Sequence, residues 1–216
     1  MTKEKMHLLI FLFIVILLIG LGSVWAISHF SKVNLKHKFV ESQRITNDVL
    51  KVLGTNDNQY LYASYIKNER SFRNDFISSG MLNIDDKVPA LPVSEYEKTY
   101  KNRGKNNSIN TSVLGDYNFT TKNRITFFIK DYERVVYITV DINGYKSNPN
   151  VYGQDLFSFQ LLNNGQLYPM GSQYTDFSKE KFSDLCSTTS YSKYNGITCA
   201  QEAVDSLEND TGYFNF

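Results

Sequence analysis

Within the fifteen residues from Asp141 to Asp155 the chain carries two carboxylates, three asparagines and two glycines, a set rich in oxygen donors and poor in packing groups. Hard cations take carboxylate and carbonyl oxygens, and Gly144 can make the sharp turn that aims neighbouring donors at one centre. Asp141, Asn143 and Asp155 are therefore the candidate Ca²⁺ ligands. The other reading is that these Asp and Asn side chains hydrogen-bond the backbone of an ordered loop, with no ion.

Cys186 and Cys199 are the chain's two cysteines. A zinc site needs four ligands, and the three histidines, His7, His29 and His37, all lie near the N-terminus. A disulfide between Cys186 and Cys199 is the expected arrangement, which implies an oxidising compartment. Two buried, unpaired thiols are the alternative.

The absent chemistry narrows the function classes. Ser-His-Asp and Cys-His catalysis need a histidine in the folded domain, and residues 38–216 contain none. No GxxxxGK[ST] or GxGxxG run is present, so no nucleotide is expected. Asp85 and Asp86 are adjacent carboxylates in a loop, a solvent-facing arrangement more often than an acid-base pair. The net charge of +1 over 216 residues creates no basic field, so nucleic acid is not an expected partner. A non-enzymatic role follows.

These groups need a scaffold, and the strongest strand pattern lies around them. Ile125, Phe127 and Ile129 alternate with Thr126, Phe128 and Lys130, and a turn at Asp131 to Glu133 leads into a hairpin partner, RVVYITVDI. A third strand from Asp155 to Leu162 places Leu156, Ser158, Gln160 and Leu162 on one face and Phe157, Phe159 and Leu161 on the other. Asn163 to Gly165 turn the chain into a short fourth strand, stopped by Pro169 and Gly171. The expectation is an antiparallel sheet of about four strands.

Upstream, Leu8 to Ile27 carry no charge and are long enough to span a bilayer as a helix. Residues 1–30 read as a membrane segment and 31–216 as one ectodomain. A signal peptide is the alternative, with Lys3 and Lys5 as its basic start and Val24 and Ala26 spaced for cleavage. From Ser31 to Leu53 an amphipathic pattern places Leu35, Phe39, Ile45, Val49, Leu50 and Leu53 on one side, with Gly54 as stop. No proline intervenes, so one continuous helix from Leu8 to Leu53 is expected, half of it in the membrane. A second helix is expected near residues 59–80, with Leu61, Tyr65, Phe72 and Phe76 as its stripe. Residues 83–118, including the basic run Lys101 to Asn110, read as surface loop, and the segment after Gly171 as a turn-rich tail.

The run VDINGYKSNPNVYGQDLFSFQLLNNGQLYPMG, followed by Cys186 and the late cysteine of NGITC, resembles the C-terminal half of type IV pilin-like and type II secretion pseudopilin proteins. The resemblance covers about the last 90 residues. It implies an α+β fold with a long N-terminal helix packed on a small sheet outside the cytoplasm. It also implies a single-pass protein of the cytoplasmic membrane whose partners are other pilin-like subunits or the pilus and secretion machinery. The N-terminus departs from that family: no glycine precedes Leu8, and no acidic residue interrupts Leu8 to Ile27. Lys32, Lys36 and Lys38 after the apolar run also oppose an outward C-terminal domain on charge grounds, whereas the cysteine pair favours it.

Overall fold

The structure, a computed structural model, describes residues 13–16, 20, 34–54, 71–131, 135–162, 164–209 and 211–214. Five antiparallel strands follow one another as a meander: β1 (Tyr117–Thr120), β2 (Thr126–Lys130), β3 (Val136–Asp141), β4 (Leu156–Leu161) and β5 (Leu167–Pro169). Among the described residues, 13–16 and 20 are helical, and the helices of the folded domain are α1 (34–53), α2 (Phe72–Ser78), α3 (Tyr96–Thr99, preceded by the 3-10 turn Val93–Glu95) and α4 (Cys199–Asn209).

Strand alternation divides the side chains between two faces. Phe119, Phe127, Val140 and Phe157 lie in register across four strands, and Ile129, Ile138 and Phe159 across three. Helices cover this face. Phe39 of α1 packs edge-on against Phe157 with ring centroids 4.6 Å apart, and Phe76 of α2 sits 5.9 Å from Phe127. Ala200 and Ala203 of α4 complete the same apolar cluster. A helix satisfies its own backbone, so this interface can be dry.

The opposite face is covered by loops and the short α3. Its core is tyrosine-rich, with Tyr96, Tyr100 and Tyr152 fully buried around Phe128 and Leu156. Loop backbone has no internal ladder, so the sheet supplies polar partners. Asn118 of β1 accepts from the Leu91 amide at 2.8 Å and donates to the Leu91 carbonyl at 2.8 Å. Thr139 and Ser158 share a 2.6 Å hydrogen bond, and the Tyr152 hydroxyl bonds Ser158 from the covering loop.

The structure corrects the expected architecture. The sheet has five strands, because Tyr117–Thr120 adds β1 where a loop was expected. The described helices are short: the longest, 34–53, replaces the long Leu8 to Leu53 helix, and none among the described residues is long and apolar enough to cross a membrane. Most of Leu8 to Ile27, the junction at 21–33, and Leu61 and Tyr65 lie outside the described residues. Within α1 the expected stripe faces the core, with Phe39, Val49 and Leu50 at 0% exposure and Ile45 and Leu53 half-buried, and Gly54 ends the helix at φ +72°. The basic run is not a free surface loop. Asn102 is fully buried, Arg103 is 9% exposed, and their amides donate to the carbonyls of Asn107 and Asn195.

Candidate functional site

Asp141 ends β3 on the loop-covered face, opposite Thr126 of β2 and Leu156 of β4. The alternation that buries Phe157 and Val140 under helices turns Asp141 toward the loops. Its Oδ1 accepts from the amides of Asn143 (3.2 Å) and Gly144 (2.8 Å), which closes the turn leaving β3. Its Oδ2 accepts from the Tyr100 hydroxyl at 2.7 Å. Asp155 closes the far end of the same connection. Its Oδ2 accepts from the Asn150 amide and its Oδ1 from the Val151 amide, each at 2.7 Å.

Both carboxylates are fully buried. Burial, and then the charge of Asp155, raise the pKa of Asp141 well above the ordinary carboxylate range, against the opposing hydrogen bonds from Tyr100, Asn143 and Gly144. Burial pushes Asp155 up to about 6, opposed by hydrogen bonds from Val151, Asn150 and the Asn143 side chain. The Tyr100 hydroxyl is raised well above its usual range by burial and then by the Asp141 charge. Sealed from solvent, the pair is out of reach of a substrate and acts as a double clamp on the connection.

The three candidate metal-site residues are therefore brought into one connection, and all four oxygens of Asp141 and Asp155 already accept hydrogen bonds. Among the described residues no group of three or more His, Cys, Asp or Glu could hold a metal ion. Two oxygens stand apart: Oδ1 of Asn143 and Oδ1 of Asn150 are buried and accept no hydrogen bond. These amide oxygens, with Asp141 and Asp155, are the groups a cation would find.

Compared with protein-family models, curated proteins and solved structures, the chain matches none. The pilin-like resemblance thus rests on the motif residues alone. In the structure the Gly153 turn lies against the late cysteines. Cys186 and Cys199 form a disulfide. Gly153 has φ +77°, and a Cβ placed there would lie 2.5 Å from Cys199 Sγ and 2.7 Å from its Cβ. Only glycine lets the connection rest against the disulfide. The Gly153 carbonyl accepts from Arg103 Nη1 (2.7 Å) and from the Tyr213 hydroxyl (2.6 Å), while Arg103 lies 5.2 Å over the Tyr213 ring.

Tyr100, Arg103 and Tyr213 were not legible as members of this site. Tyr100 and Arg103 lie 41 and 50 residues before their partners and Tyr213 lies 60 residues after its own, and no local spacing marks them. The adjacent carboxylates Asp85 and Asp86 lie outside this connection. Asp85 Oδ1 accepts from the Lys87 amide at 3.1 Å as a turn cap, and Asp86 is exposed.

Proposed function

We propose that this chain is a non-enzymatic interaction protein of the extracytoplasmic side, held at the cytoplasmic membrane through Leu8 to Ile27. In this reading it serves as a minor or non-polymerising component of a type IV pilus or type II secretion apparatus, or as a surface protein derived from one. The observation that carries the proposal is the disulfide-closed end of the domain. Disulfides persist in oxidising compartments, so the Cys186–Cys199 bond supports a working surface beyond the cytoplasm.

That end also presents contact groups. Tyr191, inside the Cys186 to Cys199 loop, is 74% exposed, and Tyr174, Tyr194 and Phe182 are exposed nearby in sequence. Phe177 stacks on Tyr194 at 5.7 Å and lies 5.6 Å from Phe182, so these rings are held by one another before any partner arrives. Pre-set tyrosines offer large contact area at low ordering cost. The motif from Val140 to Gly171 supports the pilus or secretion setting by resemblance.

Site-specific photo-crosslinking from position 191 of the full chain in its native cells tests the reading. Crosslinks to pilus or secretion subunits support it; a well-folded, surface-exposed chain that crosslinks to none of them overturns it. Mapping the mature N-terminus separates the secreted alternative, in which cleavage after Ala26 exposes Ile27.

A further inference from the structure

Two adjoining clefts of about 450 Å³ and 420 Å³ share the residues Lys122, Arg124, Asn143 and Ser147. They form where the β1–β2 turn lies against the turn that leaves β3. A Cβ on Gly144 would come within 2.7 Å of the Arg124 carbonyl, so glycine at φ +82° is what permits the approach. Arg124 itself is held at φ +66°, with its amide bonded to the Thr121 carbonyl.

The charge here is one-sided. Lys38, Lys122, Arg124 and Lys146 line the clefts, and Asp85 is the single carboxylate among the lining residues. Lys38 is partnered by Glu41 at 3.5 Å. Lys122, Arg124 and Lys146 are exposed, and among the described residues none of them forms an ion pair; Lys146 only overhangs the Tyr145 ring at 5.8 Å. The buried Asp141 and Asp155 lie behind the 143–150 backbone, whose amides their carboxylates bond. A chain of net charge +1 has thus gathered three unpaired cations around one concave surface.

The placement indicates the anion. The first cleft is lined by Asn34 and Leu35, at the start of α1. Six residues, 28–33, separate Ile27 from Asn34, and at about 3.5 Å per residue they reach no more than about 25 Å. With Leu8 to Ile27 in a bilayer, the clefts are confined close to its surface. We propose that this double cleft docks on the phosphates of anionic lipid headgroups in the membrane that carries the chain, an inference that rests on the membrane tether of the proposed function. Phosphate oxygens would meet Lys122, Arg124 and Lys146, with the Ser147 hydroxyl as a further donor.

The test uses the full chain in nanodiscs of phosphatidylcholine, with or without phosphatidylglycerol, read by amide hydrogen exchange. Exchange across residues 121–126 and 143–148 is expected to slow in the anionic discs, each cation contributing about fivefold in occupancy. K122Q/R124Q/K146Q is expected to restore the phosphatidylcholine rate while leaving exchange in β3 and β4 unchanged, which shows that the variant is folded. Equal exchange in both discs overturns the docking. Protection by soluble glycerol phosphate but not by anionic discs replaces the lipid with a free phosphate ligand and also overturns it. Alkaline extraction of native membranes reads the tether separately. Release of the chain overturns the tether, whereas retention without a headgroup effect overturns only the docking.

Discussion

On one face of the sheet Phe39, Phe76 and Phe127 pack in an apolar layer under helices; on the other Tyr96, Tyr100 and Tyr152 pack under loops and carry hydroxyls into the core. The helical cover brings its own backbone hydrogen bonds, so the sheet needs only shape and apolar area to meet it. The loop cover does not, and the strands answer it with Asn118, Thr139, Ser158 and Asp141. The two faces therefore hold by different physics. One loses stability in proportion to the volume removed, the other in proportion to the polar groups left unpaired.

The sharpest way to test that division is Phe39→Ala. Phe39 is fully buried against Phe157, Phe159 and Phe214, and its loss leaves a cavity under α1. Unfolding by denaturant is expected to show about 3–5 kcal/mol less stability, with little dependence on pH. A cost near 1 kcal/mol would mean that α1 repacks and that the helical face is less tightly specified than its burial indicates.

On the loop face the corresponding weak point is backbone. Gly153→Ala both strains a left-handed residue and drives a methyl into the disulfide, with an expected cost of about 2–4 kcal/mol. Repeating the substitution in C186A/C199A should reduce the penalty only in part, since the Sγ contact at 2.5 Å goes while the contact with Cβ of residue 199 at 2.7 Å stays. Full additivity in that cycle would show that the left-handed conformation, not the disulfide, sets the demand for glycine.

The same contrast explains what could be read from the sequence. β2, β3 and β4 were legible because their helix-facing positions are Phe, Val, Ile and Leu at period two, and α1 because Leu35, Phe39, Val49 and Leu50 recur at helical spacing. β1 was not, because in Tyr117–Thr120 the inward positions toward the loops are Asn118 and Thr120, which look like turn residues. The sequence of α4 reads as tail because its buried groups are Cys199, Ala200, Ala203 and Ser206, small residues that contribute little periodic signal. Asp141, Asn143 and Asp155 were found as a cluster, but their principal partners are backbone amides and Tyr100, which no local pattern announces.

The loop face should also respond to pH with an unusual sign. Asp155 is raised from its ordinary 3.8 to about 6 by burial, and Asp141 is raised as well. A carboxyl with a raised folded pKa takes up its proton more readily in the folded state. The stability from that uptake is fully present below the unfolded value and is lost as pH rises through the folded one. Acidification from neutral pH to about 4 is therefore expected to stabilise the domain, with about 2 kcal/mol from Asp155. Denaturant midpoints across that range check it, and Asp155→Asn should flatten the slope. A midpoint that falls steadily with acid would show the two carboxylates ionised and satisfied.

Calcium gives the smallest expected effect and draws on the same charge. The charge of Asp155 disfavours a second charge on Asp141, a repulsion between two buried carboxylates, while Oδ1 of Asn143 and of Asn150 accept no hydrogen bond. A Ca²⁺ ion would relieve the repulsion and use the two amide oxygens, but it must share carboxylate oxygens already bonded to amides. The expected gain is about 1 kcal/mol, or about 3 °C in melting temperature, reversed by chelator. Because ion and proton compete for one negative charge, the gain should shrink as pH falls below the Asp155 value of about 6. A melting temperature indifferent to calcium and chelator at neutral pH leaves hydrogen bonding alone to order the connection, and makes the acid stabilisation the only readout of its buried charge.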